Sequence, residues 1–296
     1  MGNILTKQFY RQRKDFEDSC AGRDAGLTFP EGVRCSTDIA YADDGIKAHV
    51  LDIYRPEDSQ EKILPVIINV HGGGLIIGNK EFNRYFCALL CKKGFLVYSI
   101  EYRLIPDCLI YDQIADVFMA MDYIKERLAA DGGDSSHVYM AGDSGGACLI
   151  TYVNAIQNST NIARAANVTP SGLRINALGL ISGMFYTSRF DKIGLFLPKY
   201  LYGRDYKKTP FAKYVNPENR ELLNSLAPVW LVTSHNDFLR RYTTDFEKAL
   251  TRAEREHELV VFPKNKKLTH AFSVFEPYMP ESSAVIDMMV EYLRKF

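Results

Sequence analysis

Three features of this chain are suited to covalent chemistry: a serine among glycines, a run of three glycines, and a late aspartate and histidine. Ser144 lies in Gly142-Asp-Ser-Gly-Gly146, after an apolar run at 137–141 and before the helical pattern Ala-Cys-Leu-Ile-Thr-Tyr-Val. A strand that turns sharply into a helix at G-x-S-x-G strains the serine backbone and exposes its Oγ at a helix N-terminus, where developing negative charge is stabilised. The flanking glycines have a steric reason, because side chains would collide where strand and helix approach. His71-Gly-Gly-Gly74 follows the apolar run at 63–70. Acyl transfer needs N–H donors aimed at the oxygen of a tetrahedral intermediate, and glycines supply them without obstructing the substrate. Gly72, Gly73, Gly74 and Gly145 are therefore the expected oxyanion donors, with His71 bracing the loop.

A serine nucleophile at neutral pH needs a base, and the base needs an acid to fix its tautomer. Downstream of Ser144 stand His235, His257 and His270. His257 sits in the charged stretch Arg-Glu-His-Glu and reads as a surface residue. His270 lies on a loop between the last expected strand and the final helix, and Asp237 follows the preceding strand. Parallel strands share their C-terminal side, so this pair falls on the same edge as Ser144. Asp245, the rival acid, falls inside a helix. Trypsin-like proteases also carry Gly-Asp-Ser-Gly-Gly, but their fold is all-β and their histidine and aspartate both precede the serine.

The elements that must position these groups alternate. Strands are expected over 34–42, 48–54, 63–70, 95–102, 137–141, 178–181, 229–233 and 259–262. Helices are expected over 81–93, 111–128, 147–156, 242–256 and 282–295. Such alternation predicts one α/β domain over 1–296, with a mostly parallel sheet covered on both faces and an early pair free to run antiparallel. Residues 1–33 are strandless, and 184–226 are rich in Phe, Tyr and Lys; together they are expected to form a cap over the strand ends.

Composition excludes several classes. Lys plus Arg and Asp plus Glu both number 36, which gives no electrostatic footprint for nucleic acid. No apolar run of about 18 residues suggests a membrane span, and the N-terminus lacks a secretory h-region. Met1-Gly-Asn-Ile-Leu-Thr6 matches the N-myristoylation pattern, as any Met-Gly start with threonine at position six does. The six cysteines follow no zinc or redox spacing, so no metal, no cofactor and a reducing, cytoplasmic setting are expected. The expected partner is a small-molecule ester.

The motifs together resemble the hormone-sensitive-lipase-like family of α/β-hydrolase carboxylesterases over roughly residues 34–296. In that family's order come His71-Gly-Gly-Gly74, Glu101-Tyr-Arg-Leu-Ile-Pro-Asp107, Gly142-Asp-Ser-Gly-Gly146, Asp237-Phe-Leu-Arg240 and His270-Ala-Phe272. The resemblance implies an α/β-hydrolase fold with a helical cap, Ser144 as nucleophile, His270 as base, Asp237 as its orienting acid, and hydrolysis of short acyl esters. Three positions depart from it: Phe238 stands where the family usually has proline, Arg241 where it usually has aspartate, and Ala271 where it usually has glycine. Arg103 reads as a structural ion-pair residue. Alternatives are a deacetylase of decorated sugars, a peptidase with the same triad, and a non-catalytic binding protein.

Overall fold

The computed structural model describes residues 2–59 and 62–296, with side chains from Thr6 onward. Of the myristoylation-type start, Met1 lies outside the described residues and 2–5 contribute backbone only. Eight strands form one sheet: β1 (Val33–Ala40), β2 (Val50–Pro56), β3 (Leu64–Val70), β4 (Leu96–Ile100), β5 (Gly133–Asp143), β6 (Ala177–Ile181), β7 (Val229–Ser234) and β8 (His257–Phe262). Their spatial order is β1-β2-β4-β3-β5-β6-β7-β8. β2 runs antiparallel to both neighbours, and every pairing from β4 to β8 is parallel. The helices are α1 (Gly2–Asp24), α2 (Arg84–Lys92), α3 (Ile110–Arg127), α4 (Ser144–Asn158), α5 (Thr160–Ala166), α6 (Lys192–Phe196), α7 (Pro198–Tyr202), α8 (Arg220–Asn224), α9 (Arg240–Arg252), α10 (Phe272–Phe275) and α11 (Pro280–Leu293).

Side-chain alternation along the strands makes two cores. Val66, Ile68 and Val70 of β3 join one with α3, α4 and α9, while Ile67 joins the other with α2 and α11. A strand buried on both faces has no polar alternation, which is why 63–70 reads as a continuous apolar run. α3 presents Ile110, Ile114, Val117, Met121 and Ile124 to the first core at helical spacing. Each of β3, β5, β7 and β8 ends on the same edge, so the loops that follow carry His71, Ser144, Asp237 and His270 to one place.

Several boundaries differ from the sequence expectation. The helix expected over 147–156 begins at Ser144 itself, because the turn is tight enough for the serine to open it. The charged helix expected to reach 256 stops at Arg252, and His257 opens β8, half-buried and not on the surface. Its ring sits beside the Arg255 carbonyl at 2.7 Å and the Thr251 hydroxyl at 3.2 Å. Helix α5 was not expected; Ser159 caps it by accepting the Ile162 N–H, and Asn167 at φ 54° ends it. Residues 1–33 hold the 23-residue α1, whose Phe9 and Cys20 alone are buried among its described side chains. Among the described residues no helix is long and apolar enough to cross a membrane. All six cysteines are free thiols.

Candidate active site

The turn after β5 sets the geometry. Ser144 has φ 50°, in the left-handed region that a non-glycine residue enters only under constraint. Substituting Gly145 would place a Cβ 2.8 Å from the backbone nitrogens of Gly74 and Leu75. Glycine there lets the His71-Gly-Gly-Gly74 loop lie against the serine turn. The oxygen of Ser144 therefore emerges beside a stretch of backbone N–H groups.

His270 stands between Ser144 and Asp237. Its Nε2 lies 2.9 Å from Ser144 Oγ, and its Nδ1 lies 2.8 Å from Asp237 Oδ1. A carboxylate only accepts, so Nδ1 carries a proton and Nε2 is left to take the serine's. Asp237 is itself fixed: Oδ1 also accepts the Leu239 N–H at 2.8 Å, and Oδ2 accepts the Thr233 hydroxyl at 2.9 Å. Burial alone would push its carboxyl up, but the His270 hydrogen bond and charge outweigh it and hold the group below its ordinary value. The structure thus joins all three sequence candidates in one chain of hydrogen bonds. The rivals are engaged elsewhere. His235 bonds Arg240 at 2.8 Å, and Asp245 pairs with Arg189 at 2.9 Å.

Among the four expected oxyanion donors, Gly72 is a correction. Its N–H is taken by Asp143 Oδ1 at 3.0 Å, because the Asp143 side chain turns back from the serine turn instead of capping α4. Gly73 and Gly74, at φ 108° and 60°, have N–H groups with no partner among the described residues. Gly145 lies in the first turn of α4, where N–H groups have no carbonyl a turn earlier. The N–H groups of Gly73, Gly74 and Gly145 are thus left without a partner among the described residues.

Sequence reasoning gave His71 a bracing role but missed the residues that brace with it. Buried Asp143, with its carboxyl pushed up by burial, accepts both the Gly72 N–H and the Asn83 amide, each at 3.0 Å. His71 faces two groups that only accept, the Gly72 carbonyl at 2.8 Å and Glu101 Oε1 at 3.0 Å. With an acceptor at each ring nitrogen, the geometry favours the imidazolium. Burial opposes that charge, but Glu101 prevails and raises the His71 pKa. Tyr102 stacks on the ring at 4.4 Å and donates its hydroxyl to the His71 carbonyl at 2.8 Å. Arg103 pairs with buried Asp116 at 2.6 Å, away from the serine.

Ser144 and His270 open into a cavity of about 700 Å³ whose walls are mostly apolar. Phe9 and Phe16 of α1, Phe82, Phe275, and Ile193 and Phe196 of α6 contribute to it. Of the departures from the resembled pattern, Phe238 lines this cavity, Ala271 is buried next to His270 in the chain, and Arg241 is exposed on α9. Phe238 packs its ring 4.4 Å from the His270 ring while remaining 74% exposed. Ala271 sits at φ 48°, where glycine would be at ease, held by its N–H bond to Ser182 Oγ at 3.1 Å. Among the described residues no group of His, Cys, Asp and Glu is arranged to hold a metal ion.

Comparison with known proteins agrees with this architecture. Esterase B from Lactobacillus rhamnosis superimposes with a TM-score of 0.92 at 22% identity, covering 99% of this chain and 95% of that one. An esterase from Pyrobaculum calidifontis gives 0.72 at 23% identity, covering 97% and 93%. At that identity the likeness is one of fold. A probable isoprenylcysteine alpha-carbonyl methylesterase from Oryza sativa subsp. japonica is 29% identical over 184 residues, 58% of this chain and 44% of that protein. Tuliposide A-converting enzyme b1 from Tulipa gesneriana is 30% identical over 131 residues, 40% of this chain and 35% of that protein. The chain thus spans less than half the length of these curated relatives. The model of the alpha/beta hydrolase fold family matches residues 67–273. The chain belongs to that family, the hormone-sensitive-lipase-like α/β-hydrolases.

Proposed function

We propose that the protein is a serine carboxylic-ester hydrolase acting through an acyl-enzyme on Ser144. The observation that carries this reading is the unbroken Ser144–His270–Asp237 hydrogen-bond chain opening into an apolar cavity. Ser144 Oγ attacks the ester carbonyl as its proton passes to His270 Nε2. The N–H groups of Gly73, Gly74 and Gly145 receive the oxyanion, and Asp237 stabilises the imidazolium. His270 returns the proton to the departing alcohol and then activates the water that releases the acid. One oxyanion donor is worth about 3 kcal/mol of barrier.

An apolar cavity of this size fits the acyl chain of a neutral ester and offers a sugar few hydrogen-bonding partners. Among the solved neighbours, Esterase B is known in a form inhibited by a C4-C4 tributyrin phosphonate, which supports short acyl chains. Residues 1–33, through α1, and residues 184–226 act as the cap, since Phe9 and Phe16 of the first and Ile193 and Phe196 of the second line the cavity. The six free thiols suit a reducing, cytoplasmic setting. Hydrolysis of p-nitrophenyl esters from acetate to dodecanoate by wild type and Ser144→Ala tests the reading. Wild type alone should turn over, with the optimum at short chains; equal rates for the two proteins on every ester would refute it.

A further inference from the structure

The cap carries apolar side chains that no described residue covers. Phe190 is 92% exposed, Phe196 61% and Leu195 54%. In helix α6, which bears the last two, only Ile193 packs against the core. Large apolar side chains left together in water mark a surface that another surface completes. Phe196 lines the cavity that holds Ser144, and Phe190 and Leu195 line a neighbouring cleft of about 490 Å³. The uncovered apolar surface therefore borders the entrance to the reaction centre.

Charge supplies an independent observation. The whole chain balances 36 cations against 36 anions, yet residues 188–208 hold six Lys or Arg and two Asp. Both acids are engaged. Asp191 caps α6 and accepts from Tyr242, and Asp205 pairs with Lys208 at 3.0 Å. Arg189 is engaged too, by Asp245 at 2.9 Å. Lys192, Lys199, Arg204 and Lys207 are exposed and have no carboxylate partner among the described residues. Protruding aromatic and aliphatic groups among unpaired cations match an anionic lipid surface, which offers acyl chains to the first and phosphates to the second.

We propose that the face formed by residues 188–208 docks on anionic phospholipid, so that the cavity entrance opens onto the lipid. The docking stands on exposure and charge alone. Its consequence, that esters dispersed in the lipid reach Ser144 without crossing water, rests on the hydrolase reading above.

Vesicle co-sedimentation of full-length Ser144→Ala protein tests the docking without consuming lipid. Vesicles of phosphatidylcholine are compared with a mixture containing phosphatidylglycerol. The protein should bind the mixed vesicles at least about tenfold more tightly, and less so as salt is raised. Phe190→Ser with Leu195→Ser should weaken binding to both vesicles about tenfold. Lys199→Glu with Lys207→Glu should abolish the preference for phosphatidylglycerol. All four positions lie outside the cavity lining, so unchanged hydrolysis of a soluble acetate ester by the same variants in the wild-type background confirms that they fold. Equal binding to both vesicles, or variants that bind like the parent, overturns the docking. So does concentration-dependent dimerisation through this face without lipid binding, which would assign it to a second copy of the chain. A protein that binds as expected but hydrolyses no ester leaves the docking standing and removes only its consequence.

Discussion

The two walls of the cavity are built differently. On the sheet side, polar groups interlock: Asp237 holds His270, Asp143 holds the Gly72 N–H, and Glu101 holds both His71 and the Lys80 N–H. On the α1 and α6 side, the groups facing the cavity are mainly aromatic and aliphatic. Phe9 meets Tyr200 edge-on at 5.1 Å, and Arg13 ties α1 down through the Ile76 and Ile105 carbonyls at 2.8 and 2.7 Å. Proton transfer and oxyanion binding fail when groups shift by about an ångström, so they require the first kind of wall. Accommodating an acyl chain requires only apolar area. On the proposed function, reaction geometry belongs to the sheet side and substrate choice to the other.

Changes on the sheet side should therefore act on turnover, and changes opposite it on chain-length preference. Asp237→Asn should lower kcat about 10⁴-fold with KM within a few-fold, because the wrong His270 tautomer then faces Ser144. Steady-state kinetics on one short ester decides this, and a loss confined to KM would break the comparison.

Glu101→Gln should destabilise the fold by about 2 kcal/mol at low pH, since it removes the charged partner of a buried imidazolium. The sign follows from the raised His71 pKa. That stabilisation is complete below the ordinary histidine value of 6.5 and is lost as pH rises through the higher folded value. Urea unfolding at about pH 6 and about pH 9 should thus show the wild-type advantage shrinking. An advantage equal at both would mean His71 is not a cation in the folded state. The smallest effect belongs to the opposite wall. Phe9→Ala should raise KM for a decanoate ester about tenfold and change acetate hydrolysis less than about twofold. A kcat loss on acetate would show that α1 also orders the reacting groups.

What the sequence discloses follows the same division. Ser144, Asp237 and His270 are legible because their chemistry restricts residue type and their strands share an edge. The glycine loop is legible for the same reason. The engagement of Gly72 is not, because it depends on where the Asp143 side chain turns, and G-x-S-x-G leaves that position unspecified. The imidazolium of His71 depends on Glu101, 30 residues away on a different loop. The helix over Gly2–Asp24 is hidden because its apolar residues do not make a regular stripe; Phe16 finds its partner, Phe82, only in the fold, at 4.9 Å. The start of β8 at His257 is masked by the charged residues around it, since an edge strand with half-exposed positions tolerates them.

The central claim is that Ser144 is the nucleophile and His270 its base. A p-nitrophenyl alkylphosphonate, which a serine attacks but water barely releases, tests it directly when followed by peptide mass spectrometry. A single adduct on the peptide bearing Ser144, formed by wild type and slowed at least about a hundredfold by His270→Ala, is the expected result. An adduct on another residue, or one that forms as fast without His270, would contradict the account.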